Sequence, residues 1–137
     1  MAFRFEFDPV NKILLARVDG RVTDELLKQL CSAARKYWAA TNAHAGIGDY
    51  SSVTEFDLCS ELVRALPKQE SPMPDATTSP LVIVMPMMVG YGLARMYQIV
   101  GETTLPLVNV VHTMDEALAA LGVQSAHFEP LEQPQLT

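Results

Sequence analysis

The sequence predicts an α/β fold: a single domain with a mixed, mainly parallel sheet, an N-terminal antiparallel hairpin and flanking helices. Three observations carry this. The first is residues 80–102, PLVIVMPMMVGYGLARMYQIVGE. Its run Leu81-Val82-Ile83-Val84-Met85 is short, β-branched and uniformly apolar, which suits a strand buried on both faces of a parallel sheet. The second is the change of period just beyond. Leu93, Met96, Tyr97 and Val100 fall at i, i+3, i+4 and i+7, one apolar stripe of a helix. The third is the alternation of strand-like and helix-like stretches in the order ββαβαβαβα. Such an order calls for right-handed crossovers onto a mainly parallel sheet.

Taken in order, Phe3, Phe5 and Phe7 alternate with Arg4, Glu6 and Asp8, the period of a strand with one apolar face. Asp8-Pro9-Val10-Asn11-Lys12 supplies turn residues, and Ile13 to Val18 reads as a second strand closed by Asp19-Gly20. Together they predict an antiparallel hairpin. Thr23 is placed to cap a helix whose first turn carries Asp24 and Glu25, favourable against the helix dipole. Leu27, Leu30, Cys31, Ala34 and Trp38 form its apolar face. Residues 43–49 hold the third strand, interrupted by two glycines. The hydroxyl-rich stretch from Asp49 to Phe56 leads into a helix over about residues 57–66, ended by Pro67.

Residues 67–80, PKQESPMPDATTSP, predict a solvated loop, long for a helix-to-strand connection and able to serve as a lid. Pro86 ends the central strand because proline has no N–H for a ladder. A turn, Met87-Met88-Val89-Gly90-Tyr91-Gly92, then precedes the helix bearing Arg95. Residues 105–112 form a further buried strand. Thr113 and Glu116 have the spacing of a capping box and launch a short helix stopped by Gly122. The domain is expected over residues 1–123, and residues 124–137 form a tail lying over the surface.

A chain of 137 residues can bury a proper core without metals or disulfides. Apolar content of 49% and mean hydropathy of +0.13 fit a packed, ordered protein. The formal net charge of −6 argues against nucleic acid, whose binding asks for a basic face. No window approaches the ~20 apolar residues of a membrane span. The N-terminus lacks a basic head followed by an apolar run, so a cytoplasmic location is expected. Cys31 and Cys59 are too few for a disulfide scaffold and read as reduced core residues.

Chemistry could sit in three places. Free N–H groups at the start of the Arg95 helix could hold an anion, with Gly90 and Gly92 allowing close approach and Tyr91 and Arg95 one turn apart. A tight structural turn with Arg95 in a local ion pair is the plainer reading. Residues 49–60 carry hydroxyls, aspartates and Cys59 near a strand end, where open α/β sheets bind ligands; helix capping by Thr54 or Asp57 is the plainer reading there. His44, His112 and His127 are scattered, with no ligand spacing to support a metal. No nucleophile elbow or carboxylate pair is present, so no catalytic residue, cofactor or metal is expected.

The segment GYGLARMYQ (residues 90–98), the MDEALAALGV helix (residues 114–123) and the opening FEFDPVNKILLARVDGRVTDELL together resemble the SpoIIAA-like branch of the STAS-domain superfamily. These are small bacterial proteins often labelled STAS/SEC14-like, and the resemblance covers about residues 1–123. It implies a mixed sheet flanked by helices and no catalytic residues. Sporulation anti-sigma antagonists of this kind carry D-L-S-G-V-T-x-x-D-S-S-G at a strand end, with a serine phosphorylated to switch partner binding. Asp49-Tyr50-Ser51-Ser52-Val53-Thr54 follows that frame, and Asp57 falls on the second aspartate. Leu58 and Cys59 replace the two serines, with Ser60 where the glycine stands, which puts that switch in doubt.

The expectation is therefore a non-enzymatic regulatory or protein-interaction module. Its partner surface would comprise Asp57, Cys59 and Ser60 with Gly90, Tyr91, Gly92 and Arg95. The partner would be a protein or a small molecule, with a homodimer left open. The alternative is a carrier or sensor for a small apolar or anionic ligand, akin to SEC14-like lipid binding. Its pocket would lie under the 67–80 loop, lined by Met87 and Met88.

Overall fold

The computed structural model describes residues 3–69, 72–73, 75 and 77–132. Parts of the 67–80 loop and the last residues of the tail, 133–137, lie outside the described residues. A six-stranded sheet in the order β5-β4-β3-β2-β1-β6 forms the middle of the molecule. Strands β1 (Phe3–Asp8) and β2 (Ile13–Thr23) make the expected antiparallel hairpin, pairing Phe3 with Val18 and Asp8 with Ile13. From β2 the sheet runs parallel through β3 (Ala45–Asp57), β4 (Leu81–Val84) and β5 (Val108–Val111).

Helices α1 (Asp24–Thr41), α2 (Ser60–Gln69) and α3 (Met88–Val100) connect these parallel strands. All three crossovers step the same way across the sheet, and right-handed connections then require all three helices on one face. Their side chains pack there with Phe5, Leu14, Ala16, Ile83 and Met85. The opposite face carries Ile13, Leu15, Ile47, Val82 and Val84 against α4 (Met114–Ala120). Strand β4 thus feeds both cores alternately, Ile83 to one and Val82 and Val84 to the other, as an interior strand should. After α4 the chain crosses to the far edge, where β6 (Glu129–Pro130) pairs with β1. Part of the expected surface tail is therefore an edge strand.

The caps expected of Thr23 and Thr113 form, whereas Thr54 lies within β3 and Asp57 ends that strand paired with Arg21, so neither opens α2. Thr23 Oγ1 accepts the N–H of Leu26, and Thr113 Oγ1 that of Glu116. Glu116 reaches back to the N–H of His112, and Gly122 ends α4 with φ +70°.

Several boundaries differ. Strand β3 continues to Asp57, because the second half of β2, Asp19 to Thr23, offers it a partner through two register shifts. Helix α2 therefore starts at Ser60, and it carries Pro67 inside its last turn instead of ending there. Residues 88–92 are the first turns of α3, not a turn ahead of it. The 67–80 loop is not wholly solvated: Pro72 and Met73 are buried. Among the described residues no helix is long and apolar enough to cross a membrane.

Candidate functional site

The carboxyl ends of β3, β4 and β5 lie along one edge of the parallel sheet, and the chain places both expected segments there. Gly90 joins them. A Cβ at this position would stand 2.6 Å from the ring of Phe56 and would collide with the Met85 sulfur. The first turn of α3 therefore rests directly on the side chain that precedes Asp57. The Asp57 carboxylate pairs with Arg21, which also binds Glu55 at 2.9 Å. Cys59 donates its N–H to Asp24 Oδ1 at 2.9 Å, tying the starts of α1 and α2 together. Its carbonyl accepts the N–H groups of Leu62 and Val63, so the main chain of Cys59 opens α2 and Asp57 is committed to Arg21.

Cys59 itself is exposed, not a core residue, and Ser60 beside it is exposed too. Tyr91 is half-buried. Its ring stacks on His112 at 4.4 Å with 6° between the planes. Arg95 is exposed and donates to Gln98, whose amide holds the carbonyl of Val108 at 2.8 Å. Gly92 faces open space. The rim's most exposed apolar groups are Met88 and Val89, 92% and 63% accessible.

Behind this rim, between the sheet and α1, α2 and α3, lies an apolar cavity of about 120 Å³. The five residues of the expected apolar face of α1 all line it, joined by Ile83 and Met85 from the sheet and Leu93, Ala94 and Tyr97 from α3. The expected methionines Met87 and Met88 do not; Met88 points to solvent, and Met85 takes the place given to them. Pro72 closes part of the wall, so the loop after α2 does border the space.

The space exists because small residues meet there. Gly46 and Gly48 of β3 expose one face of the central strand, and Ala16, Ala34 and Ala94 add little volume. Gly46 admits the Trp38 ring, which a Cβ would approach to 2.5 Å. Polar groups are few: Cys31, Tyr50, Tyr97 and the indole of Trp38. Burial pushes the Tyr50 and Tyr97 phenols well above their ordinary value, with Cys31 nearby adding to both. Sequence reasoning assigned Cys31, Trp38 and Tyr97 to core packing and left Tyr50 in the hydroxyl-rich stretch from Asp49 to Phe56. The available signal was two glycines and a tyrosine at alternate positions 46, 48 and 50, one face of one strand.

Among the described residues, no group of three His, Cys, Asp or Glu side chains is gathered to hold a metal ion. The mixed sheet, its antiparallel hairpin and the order of helices make a single α/β domain with its crossover helices on one face. No protein-family model matches the chain, and no curated protein matches it in sequence. Solved structures do match. The anti-sigma factor antagonist SpoIIAA in its unphosphorylated form aligns with TM-score 0.55 and 14% identity, over 88% of this chain and 98% of that one. SpoIIAA, described as a Bacillus cell fate determinant, aligns in its phosphorylated form with TM-score 0.51 and 15% identity, over 86% and 97%. The chain has the SpoIIAA-like STAS-domain fold.

Proposed function

We propose that this protein is a non-enzymatic regulatory module that docks a protein partner through the rim at the carboxyl ends of β3 and β4. One observation carries the reading: Gly90 is seated on Phe56, which sets the start of α3, with the exposed Met88 and Val89, against the segment that leads into Asp57, Cys59 and Ser60. Exposed apolar side chains ringed by polar groups are the usual makings of a recognition surface. The likeness to an anti-sigma factor antagonist supports a regulatory role. SpoIIAA occurs in phosphorylated and unphosphorylated forms. In this chain the two serines of the anti-sigma antagonist motif are replaced by Leu58 and Cys59, and a phosphate on the exposed Ser60 next to them would add charge at a helix start, where the helix dipole tolerates it.

The test is affinity capture from the source's own lysate with the native chain and with Met88→Glu/Val89→Glu. Both side chains are exposed, so the variant keeps its melting temperature. The native chain is expected to retain a partner that the variant loses. Equal capture by both places the docking face elsewhere.

The cavity favours a second reading, in which the module senses a small molecule. Its wall includes Phe56 and Met85, the two side chains on which Gly90 rests, so an occupant touches the supports of the rim.

A further inference from the structure

We infer that the cavity binds an uncharged molecule of a single aromatic ring bearing one hydroxyl group. The inference rests on the small-molecule reading above and narrows its chemistry. Size comes first. A cavity of about 150 Å³ lined by apolar side chains stays dry and takes up benzene. At about 120 Å³ this one suits a ring with a substituent.

Charge comes next. Among the described lining residues none is Lys, Arg or His, so an anion would enter with nothing to compensate it. This removes the anionic alternative for the cavity.

Shape and polarity complete the argument. Phe5, Trp38, Tyr50, Phe56 and Tyr97 line the space, and aromatic walls favour another ring in edge-to-face or offset contact. The phenols of Tyr50 and Tyr97 stay protonated, since burial raises both. They can donate to, or accept from, one hydroxyl. A ligand with no polar group would ignore them, and one with several would leave its own groups unpaired against aliphatic walls.

The experiment uses ligand-observed NMR titration of the full chain with benzyl alcohol, toluene, benzoate and palmitate. Benzyl alcohol is expected to bind, toluene about fivefold more weakly for want of one hydrogen bond, and benzoate at least about tenfold more weakly. Palmitate should not displace benzyl alcohol. Tyr50→Phe/Tyr97→Phe should keep toluene binding and close the gap between toluene and benzyl alcohol. Ala34→Leu, which fills the space from α1, should abolish binding of all probes. If Ala34→Leu fails to fold, the phenylalanine variant and the probe series still decide.

Benzoate binding as tightly as benzyl alcohol, or displacement by palmitate, overturns the ligand class and leaves the small-molecule reading standing. Binding of no probe overturns both.

Discussion

At the scale of single residues, Asp8 does more than its place in a hairpin turn suggests. It is 1% exposed, and its Oδ1 accepts the N–H groups of Val10 and Asn11 at 2.9 and 3.1 Å. Its Oδ2 accepts the Asn11 side-chain amide at 2.7 Å and the N–H of His127 at 3.4 Å. Asn11 in turn donates to the carbonyl of Ser125 at 3.1 Å, so the turn is pinned to the segment leading into β6. Burial alone would raise this carboxyl, but the hydrogen bonds from Asn11, Val10 and His127 outweigh it and hold the group below 3.8. A carboxyl lowered on folding stabilises the fold above its unfolded value, and that contribution disappears as pH falls through the folded value. Asp8→Ala should therefore cost about 2 kcal/mol at pH 7, the range for hydrogen bonds to a charged group. In urea titrations the difference between native and variant should shrink as pH drops below 3.8. A pH-independent difference would mean that the carboxylate charge contributes nothing. The other polar group of note, Arg17, bridges Glu6 at 2.8 Å and Asp49 at 3.1 Å across three strands on the α4 face.

Single elements show where packing overrules propensity and where it does not, and the two glycines early in α3 give one case of each. Glycine in a helix interior ordinarily costs about 1 kcal/mol against alanine. At Gly92 a Cβ meets nothing within 4 Å, so Gly92→Ala should stabilise the protein by about 0.5–1 kcal/mol. At Gly90 the same change drives a methyl into Phe56 and Met85, and Gly90→Ala should destabilise by about 1–3 kcal/mol, the range for overpacking. Urea midpoints of the two variants should move in opposite directions; a rise for Gly90→Ala as well would dissolve the contact that joins the rim. The same override explains what could be read from the chain beforehand. The α1 stripe and the β4 run were legible because each repeats with the period of its own element. Residues 88–92 looked like a turn because glycine is a poor helix former, and only the fold supplies Phe56 as the reason for Gly90. The second half of β3 was hidden for a related cause. Its pairing with Asp19–Thr23 of β2 is a contact distant in sequence, and Ser51, Ser52 and Thr54 show no alternation to announce it. The rim segments could be found because parallel strands point their carboxyl ends one way. The cavity could not, since Ala16, Ala34, Gly48 and Ala94 come from four elements and each alone looks like ordinary packing.

For the molecule as a whole, three crossovers on one face leave the second face to α4 and the returning chain. The crowded face holds both the cavity and the two half-buried phenols, so its polar chemistry should govern how the fold responds to alkali. Burial raises Tyr50 and Tyr97 from an ordinary value of 10.0, because a phenolate in that setting loses its water and finds no cation among the described lining residues. A group raised on folding contributes stability that is complete below its unfolded value and is lost as pH climbs through the folded one. The melting temperature should thus stay level between about pH 7 and 9 and decline above 10.0, where the unfolded phenols ionise and the folded ones resist. Growing negative charge on an already acidic chain also weakens the fold in alkali, so the native protein alone does not isolate the phenols. Tyr50→Phe/Tyr97→Phe does isolate them. It removes both ionisable hydroxyls and leaves the rings that wall the cavity, so its melting temperature should fall less steeply above 10.0 than that of the native protein. Calorimetric melts from pH 7 to 12 measure the two slopes. If the curves run parallel, ionisation of these phenols does not oppose the fold, and the closed setting ascribed to them is wrong.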